Sequence, residues 1–343
     1  MPKLSIIIPN WNQFSLLATC LVSLQTQTFR EFETIVVDNG STDGSPASVK
    51  DQFPWVRLIE LETNTGFATA NNIGLEHATG EYIVTLNNDT RAEPDWLEKL
   101  VKPVENDPQI GMVGSRTCVW DNPDIIDTLG GRICRDGMSR GAFRGQSFSS
   151  LNLPDLVPIL YPSPCAALYR RSMLDEVGFF DDDFFAYAED TDLGLRARWM
   201  GWEAVAATNA VVHHLYSATG GSLSPMKVFL VERNHYWVAV KNFPISWLLF
   251  VPFWTLVRFA IQFKAVFAGQ GTGEEFQSDV NRWPLLKATM KGHWEALADL
   301  PRMIRKRKEI MRRKQVDEIQ MCRLFRQYGL SFHDLFDLSI KVK

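Results

Sequence analysis

The stretch YIVTLNNDT, from Tyr82 to Thr90, carries the residues best suited to bind a metal ion. Its run of β-branched and aromatic residues is typical of a buried strand, and the run ends abruptly in Asn87, Asn88 and Asp89. An aspartate flanked by two amides offers the hard oxygen ligands that Mg²⁺ and Mn²⁺ prefer. The alternative is a strand followed by an ordinary Asx turn, which uses the same residue types.

The stretch FFAYAEDTDLGLRARWMGW, from Phe184 to Trp202, places three carboxylates close together in an aromatic setting. If Glu189, Asp190 and Asp192 are partly buried, they cannot all ionise comfortably, so at least one should have a raised pKa. A raised pKa is how a carboxylate is adjusted to act as a general base. The alternative is an acidic first turn that complements a helix dipole.

Two adjacent histidines, His213 and His214, follow the apolar run Ala204 to Val212. Either imidazole could contribute to the same metal site as Asp89, because histidine is a common metal ligand. The alternative for each is an ordinary surface or core histidine.

Three further motifs place polar residues just after predicted strands. Asp38, in VVDNGSTDGS, could hydrogen-bond a base or a ribose hydroxyl, or could cap the next helix. In TGFATANNIGL, Gly66 allows a tight turn, while Asn71 and Asn72 could face a nucleotide or cap a helix. The first motif, SIIIPNWN, is not followed by the glycine-rich dinucleotide fingerprint, which argues against NAD and FAD.

The elements that would position these residues alternate between strand and helix. Strands are predicted at Leu4–Ile8, Thr34–Val37, Val56–Leu61 and Glu81–Leu86, with helical patterns between them. This alternation predicts an α/β fold with a doubly wound, mostly parallel sheet flanked by helices. Ligands bind beyond the carboxyl ends of such strands, where the polar motifs lie. Further strands are predicted at Ile110–Val113, Cys165–Tyr169 and Ala204–Val212, and helices at Arg171–Val177 and Glu189–Met200.

The segment from Trp120 to Pro164 is rich in Gly, Asp, Arg and Ser and shows no steady hydrophobic period. It is long for a connection without secondary structure. We therefore expect it to be either an insertion that faces an acceptor molecule or a mobile flap.

The two ends of the chain differ in charge. Residues 1–240 carry a net charge of -12 and residues 241–343 a net charge of +8. Because regions of opposite charge favour different partners, we predict a catalytic domain over 1–240 and a helical, membrane-associating region over 241–343. The N-terminus has no secretory signal pattern, and the five cysteines lack paired spacing, so we expect a cytosolic catalytic part with reduced thiols.

Two segments of the C-terminal region favour a membrane. Phe243 to Gly269 is strongly apolar but is interrupted by two prolines, which predicts an amphipathic element in the membrane interface. A spanning helix is a marginal possibility, and a buried hairpin of core helices is an alternative. Arg302 to Lys314 concentrates eight positive charges and suits an anionic leaflet or a lipid diphosphate. A solvated helix face and a nucleic-acid site are its alternatives.

Taken in order, these motifs resemble family 2 of the inverting glycosyltransferases, which have the GT-A fold. The ordered set is SIIIPNWN, VVDNGSTDGS, TGFATANNIGL, YIVTLNNDT, AEDTDLGLRARWMGW and VVHH. Within that family the chain most resembles bacterial rhamnosyltransferases of O-antigen and cell-wall polysaccharide assembly. The resemblance covers about residues 3–215. The C-terminal region is similar only in general character to members that act on polyprenyl-linked acceptors.

The resemblance implies roles for individual residues. Asp190 would be the catalytic base, and Asp89 would bind the metal, in a motif that keeps one carboxylate where the family's DxD pattern has two. His213 would be the second metal ligand, with His214 in reserve. Asn71 stands where many relatives have an arginine near the base. The implied nucleotide-sugar site comprises Pro9, Asn10, Asn12, Asp38, Asn39, Asn71, Asn72, Asn88, Asp89 and Glu189.

The resemblance also implies a reaction and a place in the cell. A sugar, with rhamnose from dTDP-rhamnose as the first candidate, would pass with inversion to a saccharide or to a polyprenyl-diphosphate-linked saccharide, with Mg²⁺ or Mn²⁺ as cofactor. Other donors, namely GDP-mannose, a UDP-hexose or a UDP-N-acetylhexosamine, are alternatives. So is a non-catalytic, membrane-docked nucleotide-sugar binder. The expected location is peripheral, at the cytoplasmic face of the inner membrane, with no nucleic-acid partner.

Overall fold

Four parallel strands form the first half of a central sheet in this computed structural model, which describes residues 2–215, 224–268 and 283–336. Their order in the sheet is β4-β1-β2-β3, and helices connect them as predicted. Ile6 and Ile8 enter one hydrophobic core and Ile7 enters the other, because successive side chains of a strand point to opposite faces. The elements are β1 (Leu4–Asn10), α1 (Phe14–Gln25), β2 (Phe32–Asp38), α2 (Ser45–Gln52), β3 (Arg57–Glu60), α3 (Phe67–His77) and β4 (Tyr82–Leu86).

The second half of the sheet is mixed, so parallel pairing does not extend across the whole sheet. The strand β11 (Ala166–Arg170) lies antiparallel between β4 and β6 (Ile110–Val119). The last strand, β12 (Glu203–His214), runs parallel to β6 and antiparallel to β5 (Thr90–Ala92). The chain leaves β6 at the carboxyl edge and returns along β11 from that edge, so no helical crossover is needed. Helices α4 (Trp96–Asn106), α5 (Arg171–Val177) and α6 (Glu189–Trp199) complete this half.

The segment from Trp120 to Pro164, for which the sequence shows no hydrophobic period, contains several short strands. It contains β7 (Asn122–Thr128), which pairs antiparallel with β6, and a hairpin of β8 (Gly131–Ile133) and β9 (Ser139–Gly141). A further strand, β10 (Leu156–Pro158), pairs with β12. Three-residue strands are too short to show a hydrophobic period, which is why the sequence pattern missed them. Their order comes from burial of neighbours such as Ile126 and Leu129.

The C-terminal helices share a core with the α/β part. The predicted boundary at residue 240 falls inside the helix α7 (Pro225–Asn242), and one cluster joins Trp199 and Phe184 to Trp237 and Phe325. The remaining helices are α8 (Ile245–Leu248), α9 (Val251–Ala268), α10 (Trp283–Ala298), α11 (Leu300–Arg313), α12 (Glu318–Gln327) and α13 (Phe332–Phe336). Residues 269–282 and 337–343 of the predicted C-terminal region lie outside the described residues.

The basic helix α11 packs against the α/β part and exposes only some of its charges. Met303 and Ile310 are buried, Arg302 and Lys306 form ion pairs with Asp183, and Arg307 donates to the carbonyls of Val240 and Phe243. The exposed charges include Arg305, Lys308 and Arg312. In the described ranges, no helix is both long enough and apolar enough to cross a bilayer.

Candidate active site

Amide side chains connect the ends of β1, β2 and β4. Asn10 donates from Nδ2 to Oδ2 of Asp38 over 3.2 Å, and Asn88 donates to Oδ1 of Asn10 over 2.8 Å. The backbone N–H of Ser41 donates to the second oxygen of Asp38 over 2.9 Å. The side chains of Asn10, Asp38 and Asn88 are all buried, and the parallel register places Asn10 opposite Asp38. The sheet therefore brings the first, second and fourth predicted motifs together at its carboxyl edge.

Two further asparagines hold the loops around this network. Asn12 accepts the backbone N–H of Thr42 over 2.7 Å. Asn39 accepts the N–H of Thr65 over 2.8 Å and donates to the carbonyl of Gly66 over 3.1 Å. These bonds fix the loop that starts α3. Pro9 lies within β1, opposite Val37.

The structure places Asn71 and Asn72 differently from the predicted helix start. Helix α3 begins at Phe67, so neither asparagine caps it. Asn71 is buried and donates to the carbonyl of Phe67, while its Oδ1 atom has no hydrogen-bond partner among the described residues. Asn72 donates to the carbonyl of Phe180 and to Asp182, each over 2.8 Å, and accepts the N–H of Phe180. Its amide is therefore engaged by the segment before α6.

Asp89 lies at the carboxyl edge beside His214. Its Oδ1 atom is buried, lies 3.4 Å from Nε2 of His214 and accepts no well-formed hydrogen bond from the described residues. The other ring nitrogen of His214 lies 2.8 Å from Oδ2 of Asp127 in β7. The antiparallel register of β12 with β5 produces this arrangement, because it sets His214 opposite Thr90, the residue after Asp89.

His213 does not reach Asp89, which corrects the preference for His213 as the metal ligand. Adjacent residues of a strand face opposite sides, so the register admits only one of the two histidines. Nε2 of His213 lies 2.6 Å from Oε1 of Glu93, and Nδ1 lies 3.2 Å from the carbonyl oxygen of Trp120.

The pair Asp89 and His214 has the donor atoms that a divalent cation requires. A carboxylate that holds the second nitrogen of a metal-binding histidine, as Asp127 does, is the usual supporting arrangement. Burial opposes a charged imidazole, but Cys165 and the carboxylates of Asp127 and Asp89 raise the pKa of His214 well above its ordinary value. The carboxylates around the ring thus attract a proton, and a metal ion would have to displace that proton before Nε2 of His214 could bind it. In the described residues, no group of three or more His, Cys, Asp or Glu is arranged so that it could hold a metal ion.

The first turn of α6 carries three carboxylates, one with a lowered pKa and two with a raised pKa. Asp192 is fully buried, pairs with Lys241 over 2.8 Å and with Arg196 over 2.8 Å, and has a lowered pKa because these cations outweigh its burial. Burial raises the pKa of Asp190 to about 6. Burial and the neighbouring Asp190 raise the pKa of Glu189 to about 8. The expectation of at least one raised pKa in this motif is confirmed.

The loop that delivers Asp190 is held in an unfavourable backbone conformation. Phe185, Tyr187 and Ala188 have φ of 65°, 69° and 65°, a region that costs non-glycine residues energy and that clusters at functional sites. The buried side chain of Asn234 in α7 donates to the carbonyls of Phe184, Ala186 and Tyr187 over 3.0, 2.9 and 2.8 Å. The sequence analysis missed Asn234, because nothing in its local pattern indicates a distant loop.

The network at the ends of β1, β2 and β4 and the Asp190 loop meet at Gly66. The carbonyl of Phe185 accepts the N–H of Ala68 over 3.0 Å. A Cβ atom at Gly66, where φ is +90°, would lie 2.6 Å from the ring of Phe185, so only glycine fits. The loop pinned by Asn39 is therefore in direct contact with the loop that precedes Asp190.

Comparison with known proteins identifies the family. The sequence profile of Glycosyl transferase family 2 matches residues 5–178, which is half of the chain. This chain belongs to glycosyl transferase family 2. The resemblance drawn from the motifs is confirmed, and the protein is a glycosyltransferase.

The glycosyltransferase has relatives in polysaccharide assembly. It is 28% identical over 265 residues to the N-acetylglucosaminyl-diphospho-decaprenol L-rhamnosyltransferase of Mycobacterium tuberculosis, covering 67% of this chain and 83% of that protein. It is 30% identical over 264 residues to the O-antigen biosynthesis protein RfbC of Myxococcus xanthus, covering 71% of this chain and 20% of that protein. The glycosyltransferase is thus related to rhamnosyltransferases.

Solved structures with the same architecture confirm the GT-A fold. The mannosyltransferase PcManGT from Pyrobaculum calidifontis, in complex with GDP-Man and Mn²⁺, superposes with a TM-score of 0.54 at 20% identity, covering 90% of this chain and 85% of that one. GalNAc-T7 with UDP, GalNAc and Mn²⁺ gives a TM-score of 0.59 at 17% identity, covering 72% and 49%. At these identities the likeness concerns the fold.

Proposed function

We propose that this glycosyltransferase moves a sugar, with inversion, from a nucleoside diphosphate to a hydroxyl of a saccharide or a polyprenyl-diphosphate-linked saccharide. Rhamnose from dTDP-rhamnose is the first candidate donor, supported by the relationship to the mycobacterial L-rhamnosyltransferase. GDP-mannose, a UDP-hexose or a UDP-N-acetylhexosamine would use the same site. The relationship to an O-antigen biosynthesis protein supports a role in polysaccharide assembly.

The observation that carries this proposal is the position of Asp190. It lies in the first turn of α6, has a raised pKa, and follows a loop that touches the donor-side loop at Gly66 and Ala68. In the proposed reaction, Asp190 takes the proton of the acceptor hydroxyl. The acceptor oxygen bonds to the anomeric carbon as the bond to the nucleoside diphosphate breaks on the opposite face. One displacement inverts the configuration, so no covalent enzyme intermediate is required.

We propose that Asp89 and His214 hold Mg²⁺ or Mn²⁺, with Asp127 fixing the imidazole. When bound, the cation would offset the charge of the leaving diphosphate. The Oδ1 atom of Asp89 is buried and has only the 3.4 Å contact with His214, which supports this assignment, since a buried acceptor without a well-formed hydrogen bond is costly unless a ligand satisfies it. Asn10 and Asn88 would keep Asp38 oriented toward the nucleoside.

The proposed function is tested by a thermal-shift screen of the purified chain against nucleotide sugars and nucleoside diphosphates, with Mn²⁺, Mg²⁺ or chelator. We expect selective stabilisation by one nucleotide sugar, because a ligand that binds only the native state stabilises it. Asp89→Asn should lose the metal-dependent part of the shift. The selected donor is then supplied with an acceptor, and the anomeric configuration of the product is read by NMR. A retained configuration, or no stabilisation by any nucleotide, would contradict the proposal.

We further propose peripheral contact with the cytoplasmic face of the inner membrane. Apolar side chains on α9 and α10, among them Leu256, Met290, Trp294 and Leu297, are between 64% and 70% exposed. Exposed Lys287 and Lys291 lie on the same helix as the last three, and aromatic and basic residues together favour an interface with anionic lipid.

Sedimentation with phosphatidylglycerol vesicles tests this contact. Leu256→Ser combined with Trp294→Ser should reduce the bound fraction several-fold, because about 0.8 kcal/mol is lost for each CH₂ that no longer enters the apolar phase. Val22→Ser, at an exposed apolar position of α1, is the matched control. If high salt abolishes binding to the vesicles and the protein binds nucleic acid instead, a nucleic-acid site on α11 is favoured.

A further inference from the structure

A cavity of about 420 Å³ lies between the turn of the β8–β9 hairpin and the helices α8, α9 and α12. None of the roles proposed above uses it. We call it the arginine groove, and its lining includes four aromatic residues and two arginines, namely Arg135, Trp247, Phe250, Phe253, Trp254 and Arg326.

The arginines of the groove have free hydrogen-bonding capacity. The guanidinium of Arg135 lies 4.4 Å from the ring centre of Trp254 and 5.9 Å from that of Trp247. A stacked guanidinium keeps its N–H edge available for a phosphate. Among the described residues, neither Arg135 nor Arg326 has a carboxylate within ion-pair distance, whereas the nearby Arg258 pairs with two. As far as the described residues show, the groove therefore presents two cations without a carboxylate partner, and these suit an anion.

The groove also has an apolar exit. Phe250 and Phe253 line it and are 58% and 55% exposed, and Leu249 and Leu256 beside them are still more exposed. A ligand that satisfies both ends must combine an anionic group with a long apolar chain. A phosphate or diphosphate attached to a lipid has this chemistry.

The hairpin that carries Arg135 also contacts the residue after Asp190. Ser139 lies four residues after Arg135, so their Cα atoms are at most about 14 Å apart. Oγ of Ser139 lies 3.0 Å from Oγ1 of Thr191, and the N–H of Thr191 donates to Asp190 over 2.6 Å. The hairpin therefore links the groove to the segment that carries Asp190. A bulk phospholipid in the groove would place no saccharide there, so this proximity favours the acceptor itself.

We propose that the arginine groove binds the diphosphate and the first isoprene units of a lipid-linked acceptor, with Arg135 and Arg326 holding the phosphates. The aromatic walls would hold the chain as it leaves toward the membrane. This inference rests on the proposed function, because it assigns a site to the acceptor of that reaction.

The test measures binding of farnesyl diphosphate to the full-length chain by calorimetry, in chelator so that the metal-dependent donor site does not contribute. The double variant Arg135→Ala, Arg326→Ala should bind about tenfold more weakly or worse, as expected when a charge-assisted hydrogen bond is lost. Arg323→Ala, at an exposed arginine of α12 outside the groove lining, is the matched control and should bind like wild type. Farnesol and inorganic diphosphate should each bind at least tenfold more weakly than the joined molecule.

Two outcomes would overturn the proposal even if farnesyl diphosphate binds the wild type. One is equal binding of farnesyl diphosphate by wild type and the double variant. The other is that the double variant loses binding to phosphatidylglycerol vesicles as strongly as it loses binding to farnesyl diphosphate. That result would make the groove a general phospholipid site. Nucleotide-sugar binding with Mn²⁺ is measured in parallel. If it survives in the double variant while farnesyl diphosphate binding never appears, the groove assignment fails and the proposed function stands. If wild type binds no nucleotide, the proposed function fails instead.

Discussion

The proposed donor side and the proposed base side of the site are built in different ways. On the donor side, Asn10, Asp38 and Asn88 sit at the ends of parallel strands, and neutral amides make the contacts. On the base side, Asp190 follows a strained loop that Asn234 holds from α7, and buried ion pairs such as Asp192 with Lys241 fix the adjoining helix. The sheet alone suffices for the donor side, whereas the base side depends on C-terminal helices. Changes in those helices should therefore impair catalysis before they impair donor binding.

Removal of the base should have the largest effect. Asp190→Asn is expected to reduce transfer by about 10²- to 10⁴-fold, the range for loss of a general base, with donor binding unchanged. Because burial raises the pKa of this carboxyl, its contribution to stability is lost as pH rises through about 6, and the neutral amide should raise Tm at pH 7.5.

The matched control for this variant is Asp192→Asn. Its carboxylate is ion-paired and has a lowered pKa, so the substitution should lower Tm instead. Turnover assays and differential scanning calorimetry give both readouts. Substantial transfer by Asp190→Asn would remove Asp190 from the mechanism.

The two histidines offer a sharper test of the donor side. His214→Ala should weaken activation by Mn²⁺ by about 10- to 100-fold, because the metal would lose a ligand or its correct orientation. His213→Ala should leave that activation nearly intact, since His213 contacts Glu93 and not Asp89. The measurement is activity against free Mn²⁺ concentration. A larger effect of His213→Ala would restore the preference drawn from the sequence.

Releasing the loop that precedes Asp190 should have an intermediate effect on turnover. Asn234→Ala removes the side-chain donor to the carbonyls of Ala186 and Tyr187, whereas Arg233 still donates to that of Phe184. The substitution should lower kcat by about tenfold through misplacement of Asp190, with unchanged donor affinity. Ser224→Ala removes the N-cap of the same helix and should cost about 1 kcal/mol of stability without touching the loop. If both variants lose kcat equally, the role of Asn234 is merely structural.

The pH profile should show the smallest effect. Transfer should fall about tenfold per pH unit below pH 6, because protonated Asp190 cannot accept a proton, and should be half-maximal near pH 6. Glu189→Gln should leave this acid limb in place, since Glu189 carries its proton at neutral pH. An acid limb that disappears in Glu189→Gln would assign the titration to the pair and not to Asp190.

The same contrast explains what the sequence could predict. The strands β1, β2 and β4 and the helix Arg171–Val177 follow from local hydrophobic runs, and the motifs at their ends were placed correctly. The choice between His213 and His214 depends on strand register, and the role of Asn234 depends on a contact between distant segments. Neither leaves a local signal. The ion pairs of Arg302 and Lys306 with Asp183 could not be predicted either. A run of basic residues has the same sequence pattern whether its partners are carboxylates or water.

The ion pair of Arg258 with Asp136 and Glu232 has a consequence for substrate length. Arg258 is buried in α9, and Asp136 lies in the turn whose hairpin reaches Thr191 beside the base. If α9 rests on a bilayer as proposed, this rigid link fixes the height of Asp190 above the lipid surface. The enzyme would then select acceptors by length. It would use only glycans whose reactive hydroxyl stands at that height and would not glycosylate chains one or two sugars too long.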